Sequence, residues 1–147
     1  RIFRVAARRS ARWLQWGRSV KVLLDTCTFL WIVRADPHLS ATARAIFSDP
    51  ANSIYLSSVS AWEIVVKHQL GRLPLASPPH LYIPLEREKH GIEALDLTEE
   101  AVLELRRLPQ HHHDPFDRML ICQTIAHGLT LLTPDPQIQD YPVRVVW

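Results

Sequence analysis

Apolar residues fall along this chain in short blocks whose spacing switches between the two periods of regular structure. A run rich in β-branched residues and leucine over 20–24 stops at Asp25, and residues 26–33 carry Phe29, Leu30 and Val33 at helical spacing. This predicts strand, acidic turn, helix. Asp36 and Pro37 break that helix, and Ser40 caps a second one over 40–47 that Asp49 and Pro50 close. A second strand spans 54–56, after which the serines between 57 and 60 supply caps for a helix over 61–70 ended by Gly71. Pro74, Pro78 and Pro79 mark a loop before a helix over 81–90 whose partner face holds Leu81, Leu85 and Tyr82. Residues 92–97 alternate as a third strand, Thr98 opens a helix that Pro109 stops after Leu108, and a helix over 114–127 precedes Gly128. Strands over 129–133 and 143–146 finish the chain.

Strands alternating with helices imply βαβ units. We expect an α/β fold with a central, mostly parallel sheet of four to five strands flanked by helices, whose ligand site lies beyond the carboxyl ends of the strands. The 147 residues suit one domain, and 47% apolar against 22% charged residues is the composition of a folded globule rather than a disordered chain.

Charge refines the boundaries. Residues 1–21 hold seven Lys and Arg and no acid, which leaves ten basic against fifteen acidic residues in the rest. Residues 1–20 therefore read as a basic N-terminal extension ahead of a domain over 21–147. An arm of this composition can contact nucleic acid, serve as a targeting peptide or be translated sequence upstream of the domain, and the missing initiator Met favours the last. No apolar run approaches the roughly 20 residues that cross a bilayer, so the expectation is a soluble, cytoplasmic protein with no membrane contact. Cys27 and Cys122 each sit inside an apolar stretch without CxxC spacing and read as structural thiols.

Placed on this framework, four acids crowd one sheet edge. Asp25 directly follows strand one, Glu63 falls in the first turn of the helix after strand two, Asp117 in the first turn of the helix before strand four, and Asp135 directly after strand four. Each has an ordinary reading: first-turn acids suit the helix dipole, and an Asp between two prolines suits a turn. Asp25 is harder to explain, because a carboxylate between two leucines and the TFLWIV run loses its water unless something pairs with it. Together the four offer the converging oxygens that Mg²⁺ or Mn²⁺ prefers.

The stretches VLLDTCTFLWIV, SVSAWEIVVKHQLGRL, HHHDPFDRMLICQTIAHGLTLLTPD and YPVRVVW, in this order and spacing, resemble the PIN-domain ribonuclease toxins of the VapC type. The resemblance covers 21–147 and implies a single PIN-like domain. It further implies an endoribonuclease that hydrolyses phosphodiester bonds in single-stranded RNA with Mg²⁺ or Mn²⁺, held inactive by a small antitoxin in a type II toxin–antitoxin pair. Asp25 matches the acid after strand one, Glu63 the acid of the WE pair, Asp117 the second acid of DPFDR and Asp135 the acid of the TxD turn. These four are the implied metal-holding and catalytic residues.

Weaker candidates surround them. Asp114 reads as the N-cap of the DPFDR helix with Pro115 at N1, and as a lesser metal candidate. The N-terminus of that helix also offers amides to a scissile phosphate. Thr26, Ser58 and Thr133 are either helix caps or hydrogen-bond partners of the acids and metal waters, and Arg118 either neutralises phosphate or pairs with a surface acid. His111, His112 and His113 read as loop residues bordering the cleft, with a transition-metal site as the alternative. Trp62 and His68 read as packing, and Phe29 and Trp31 as core or dimer surface.

A haloacid-dehalogenase phosphatase needs D-x-D after strand one and here the third position is Cys27, while a receiver domain needs paired early acids and a late Lys that are not found. The partners expected are RNA, a small antitoxin presenting Arg or Lys to the acids, and a homodimer or toxin–antitoxin hetero-oligomer built on the apolar helices over 29–33 and 61–70. The remaining readings are a PIN nuclease of RNA processing or quality control without an antitoxin, and a non-catalytic RNA- or antitoxin-binding module.

Overall fold

Strand period sends Val22 and Leu24 to one face of the first strand and Leu23 to the other, and all three are buried. A strand buried on both sides belongs in the middle of a covered parallel sheet. The computed structural model describes residues 19–111 and 114–147. Its elements are β1 (Lys21–Leu24), α1 (Thr26–Val33), α2 (Ala41–Ser48), β2 (Ser53–Ser57), α3 (Ser58–Gln69), α4 (Pro79–Lys89), β3 (Glu93–Leu95), α5 (Glu99–Leu103), α6 (Pro115–Ala126), β4 (Thr130–Leu132) and β5 (Val145–Val146). Single 3₁₀ turns span Glu104–Arg107 and Pro136–Asp140. Of the basic extension, only Ser19 and Val20 are among the described residues, and His112 and His113 also lie outside them.

The sheet has the order β3-β2-β1-β4-β5, and every neighbouring pair is parallel. Val22 pairs with Ile54 on one side and Thr130 on the other, so β1 is the centre of the register. One face carries Val22, Leu24, Ile54, Leu56 and Leu132 against Phe29, Ile46 and Ile64; the other carries Leu23 and Leu131 against Leu120, Ile121 and Ile138. The chain leaves β1 toward β2 on one side and returns to β4 on the other. That reversal of strand order opens a crevice beyond the ends of β1 and β4, where ligands of such folds bind.

Several boundaries move from their expected places. The third strand is three residues rather than six and lies at the sheet edge, paired with β2 alone, so half of the alternating segment 92–97 is loop. α4 starts at Pro79 and buries Tyr82 and Ile83, leaving Leu81 and Leu85 more than half exposed one turn apart on its outer face. Apolar period alone does not tell which side of a short helix meets the sheet. α1 ends at Val33 with Arg34 as its C-cap, ahead of the Asp36–Pro37 signal, and Ala35, with a φ of 50°, makes the left-handed turn usually given to glycine.

Candidate active site

Leu24 ends β1 and Asp25 turns the chain into α1 as its N-cap. One carboxylate oxygen accepts from the Thr28 N–H at 2.7 Å and the other accepts from the Thr133 hydroxyl at 2.6 Å. Thr133 follows β4, and its oxygen accepts in turn from the Asp135 N–H at 3.2 Å. One hydroxyl thus links the two strand ends across the crevice. Asp25 is only 6% exposed. Burial pushes its carboxyl above the usual carboxylate range, the bonds from Thr133 and Thr28 oppose this, and the nearby Glu63 charge adds to it.

Glu63 reaches the same place from the sheet's other flank. α3 begins at Ser58, three residues earlier than expected, so Glu63 occupies its second turn and not its first. The reason is tertiary. Ser57 caps the helix by accepting the Val59 N–H at 2.9 Å and donates its own proton to Gln123 Oε1 at 2.5 Å, which fixes the cap next to α6. Buried Glu63 accepts the Thr26 hydroxyl at 2.6 Å on one oxygen and pairs with the Lys67 ammonium, one turn on, through the other. Burial works against the Lys67 charge, but the Glu63 hydrogen bond and the charges of Glu63, Asp114 and Asp117 outweigh it and hold the ammonium above its usual range.

Asp114 caps α6, accepting the N–H groups of Phe116 at 2.9 Å and Asp117 at 3.3 Å, with Pro115 at N1 as expected. Those two amides are therefore occupied by a carboxylate and are not free for a phosphate. Asp117 stands in the first turn, and Asp135 caps the following 3₁₀ turn by accepting the Gln137 N–H at 2.9 Å. Asp25, Glu63, Asp117, Asp135 and the weaker candidates Thr26 and Asp114 all line one open cleft of about 510 Å³. The expected quartet shares one site.

Three other expectations change. Ser58 faces away from this cleft, accepting the Leu97 N–H at 3.1 Å, because the earlier helix start makes it N1 rather than a cap. Arg118 points to the loop before α6, donating to the Pro109 carbonyl at 2.8 Å and the Tyr141 hydroxyl at 3.2 Å. Trp62 is not core: it is 54% exposed and packs edge-on against Phe116 with centroids 4.6 Å apart. Of the loop histidines, His111 packs edge-on against Tyr141.

Among the described residues no three carboxylate, imidazole or thiol groups stand close enough to enclose one ion as the side chains lie. The donor chemistry nevertheless fits a hard cation: carboxylates from four separate elements face one cleft, and buried Asp25 gains from any positive charge brought beside it. Cys27 lines the cleft too, but burial, reinforced by the charges of Asp25 and Asp36, pushes its thiol up to about 12. A neutral thiol is a poor ligand and nucleophile. Cys27 is therefore expected to resist iodoacetamide at pH 8, with a labelling rate well below that of a free thiol followed by mass spectrometry.

Gln123 was missed by the sequence reading. It is fully buried on α6, accepting from Ser57 and donating to the Asp96 carbonyl at 3.4 Å, and so joins the two helices that carry Glu63 and Asp117. A polar residue inside the MLICQTIA run was its only signal. Gln123→Leu should cost roughly 1–3 kcal/mol by leaving buried polar partners unpaired, read from the urea midpoint.

Known proteins agree with this architecture. A family model described as PIN domain matches residues 22–143. Ribonuclease VapC16 of Mycobacterium tuberculosis is 39% identical over 80 residues, covering 49% of this chain and 57% of that protein. The match thus spans little more than half the length of this relative. Among solved structures, that of VapBC2 from Rickettsia felis bound to a DNA fragment from their promoter aligns with a TM-score of 0.66 at 13% identity, over 86% of this chain and 98% of that one. FitAcB from Neisseria gonorrhoeae aligns at 0.56 with 20% identity, over 86% and 96%. At these identities the structures speak for the fold. With the family model spanning nearly all of the described sheet and its helices, the chain belongs to the PIN domain family.

Proposed function

We propose that the chain is a metal-dependent endoribonuclease that hydrolyses phosphodiester bonds in single-stranded RNA, and that it is the toxin of a type II toxin–antitoxin pair. The observation that carries this reading is the meeting of Asp25, Glu63, Asp117 and Asp135, from four separate elements, in one cleft where the strand order reverses. The likeness to a ribonuclease supports RNA as the substrate, and the likeness in fold to VapBC2 and to a toxin–antitoxin complex from Klebsiella pneumoniae supports an antitoxin partner. With such a substrate the activity belongs in the cytoplasm; among the described residues no helix is long and apolar enough to cross a membrane.

The four carboxylates would hold Mg²⁺ or Mn²⁺, which when bound supplies an acidified water as nucleophile and a counter-charge for the phosphate. The chain's own residues prepare the place. Thr28 and Thr133 fix both oxygens of Asp25, and Thr26 fixes Glu63, so these two donors are oriented beforehand. Asp114 holds the first turn of α6 and with it the backbone of Asp117. Lys67 keeps a positive charge against Glu63 in the absence of any other cation.

The test is incubation of the purified chain, free of antitoxin, with a mixed RNA pool in Mg²⁺, in Mn²⁺ and in EDTA, beside Asp117→Asn. Cleavage that requires the metal and is lost in the variant is expected. Cleavage in EDTA, or at the wild-type rate by Asp117→Asn, would remove the metal-acid mechanism, and binding without cleavage would leave an RNA-binding module.

A further inference from the structure

The cleft that holds the acids continues beyond them. Leu30, Trp31, Arg34, Arg72 and Leu73 line the same cavity, so one continuous wall runs from carboxylates to an indole and two guanidinium groups. α1 supplies both ends of it: Asp25 caps the helix, and Trp31, six residues on, lies ~9 Å further along the axis. Trp31 is part-buried and held by its neighbours, with His38 stacked on it at 5.4 Å and 25° and Trp147 tilted against it at 5.8 Å. His38 is itself tied to Asp36 at 2.7 Å. Arg34 is fixed by donating to the Pro74 carbonyl at 3.0 Å, whereas the Arg72 side chain is exposed.

We propose that this outer end of the cleft is a nucleobase pocket, in which Trp31 stacks one unpaired base of the RNA and Arg72 holds the neighbouring phosphate. The inference rests on the ribonuclease reading and deepens it. A positioned aromatic face beside guanidinium groups is how single strands are bound without sequence readout, the base stacking on the ring while cations follow the backbone. The base must be unpaired, since stacking on a side chain requires it to be splayed from its strand. The whole cleft, acids and outer wall together, encloses about 510 Å³, within the range of small-ligand sites. The acids repel the backbone unless cations intervene, and the outer wall supplies them.

The experiment is an anisotropy titration of fluorescein-labelled, unstructured oligoribonucleotides in Ca²⁺, with each RNA checked afterwards for integrity. One oligonucleotide is intact, and in the others one nucleotide at a time is abasic. For the wild-type chain one abasic position should weaken binding about ten-fold. Trp31→Leu should bind the intact RNA at that weakened level and be indifferent to the abasic position, while Trp31→Phe keeps the difference. Arg72→Gln should weaken every oligonucleotide alike and lower the salt slope by about one. A wild-type chain indifferent to missing bases, or a position effect that survives Trp31→Leu, would overturn the pocket. Should Trp31→Leu fail to fold, the wild-type abasic scan and Arg72→Gln decide. Binding is read without cleavage, so RNA cut in Mg²⁺ with no abasic effect removes the pocket and leaves the nuclease, and an abasic effect without cutting does the reverse.

Discussion

Asp25→Asn should melt at a higher temperature than the wild-type chain in EDTA while cutting RNA roughly a hundred-fold or more slowly in Mg²⁺. Both effects come from one buried carboxylate. Its folded-state pKa lies above the ordinary value of 3.8, chiefly because burial removes its hydration. The folded chain therefore holds the Asp25 proton more tightly than the unfolded chain. Between 3.8 and the raised pKa the native state binds more protons, so stability falls as pH rises through that window, and the penalty is complete above it. Asparagine carries no such charge, caps α1 as well as aspartate does, and can still accept the Thr28 N–H. The melting difference should vanish at low pH, where Asp25 is protonated in both states, and be greatest near neutrality, above the raised pKa. Mg²⁺ or Mn²⁺ should raise the wild-type melting temperature and leave that of Asp25→Asn nearly unmoved. A variant that melts lower in EDTA at pH 7 would mean that the hydrogen bonds of Asp25 outweigh its desolvation.

Phe29→Ala should cost roughly 3–5 kcal/mol, a large part of the 5–15 kcal/mol that holds a domain of this size together. Phe29 has no exposed surface and docks α1 onto the sheet face built from Val22, Leu24 and Leu56. Asp25 and Arg34 cap the two ends of that helix and Trp31 lies within it, and all three line the cleft, so its seating also sets the site. The urea midpoint would report the loss, and RNA cleavage below that midpoint should fall too because Asp25 caps the displaced helix. A cost under about 1 kcal/mol would mean that α1 is not anchored there.

Local chemistry made much of this legible. β1 was readable because Val22, Leu23 and Leu24 are apolar on both faces, the α6 start because Asp114 and Pro115 carry the cap and N1 preferences in their own side chains, and the α5 start because Thr98 caps it through the Ala101 N–H. The edge strand was overread because alternation in 92–97 says nothing of whether a partner exists on each side. The face of α4 was misread because leucines at 81 and 85 have the right spacing for burial, and only the position of α3 and the sheet decides that Tyr82 and Ile83 take it.

For the site, the sequence by itself determined the residue types and their order: acids next to strand ends and near helix starts, of which Asp25, Asp114 and Asp135 are placed by capping signals of short range. What only the tertiary structure decided was how they meet. The Thr133 bond to Asp25 joins residues 108 positions apart, the Thr26 bond to Glu63 joins residues 37 apart, and the Ser57 bond to Gln123 sets where α3 begins. Such contacts depend on strand order, and neighbours across a parallel sheet are chosen by the packing of whole helices, which leaves no mark on the few residues around each acid.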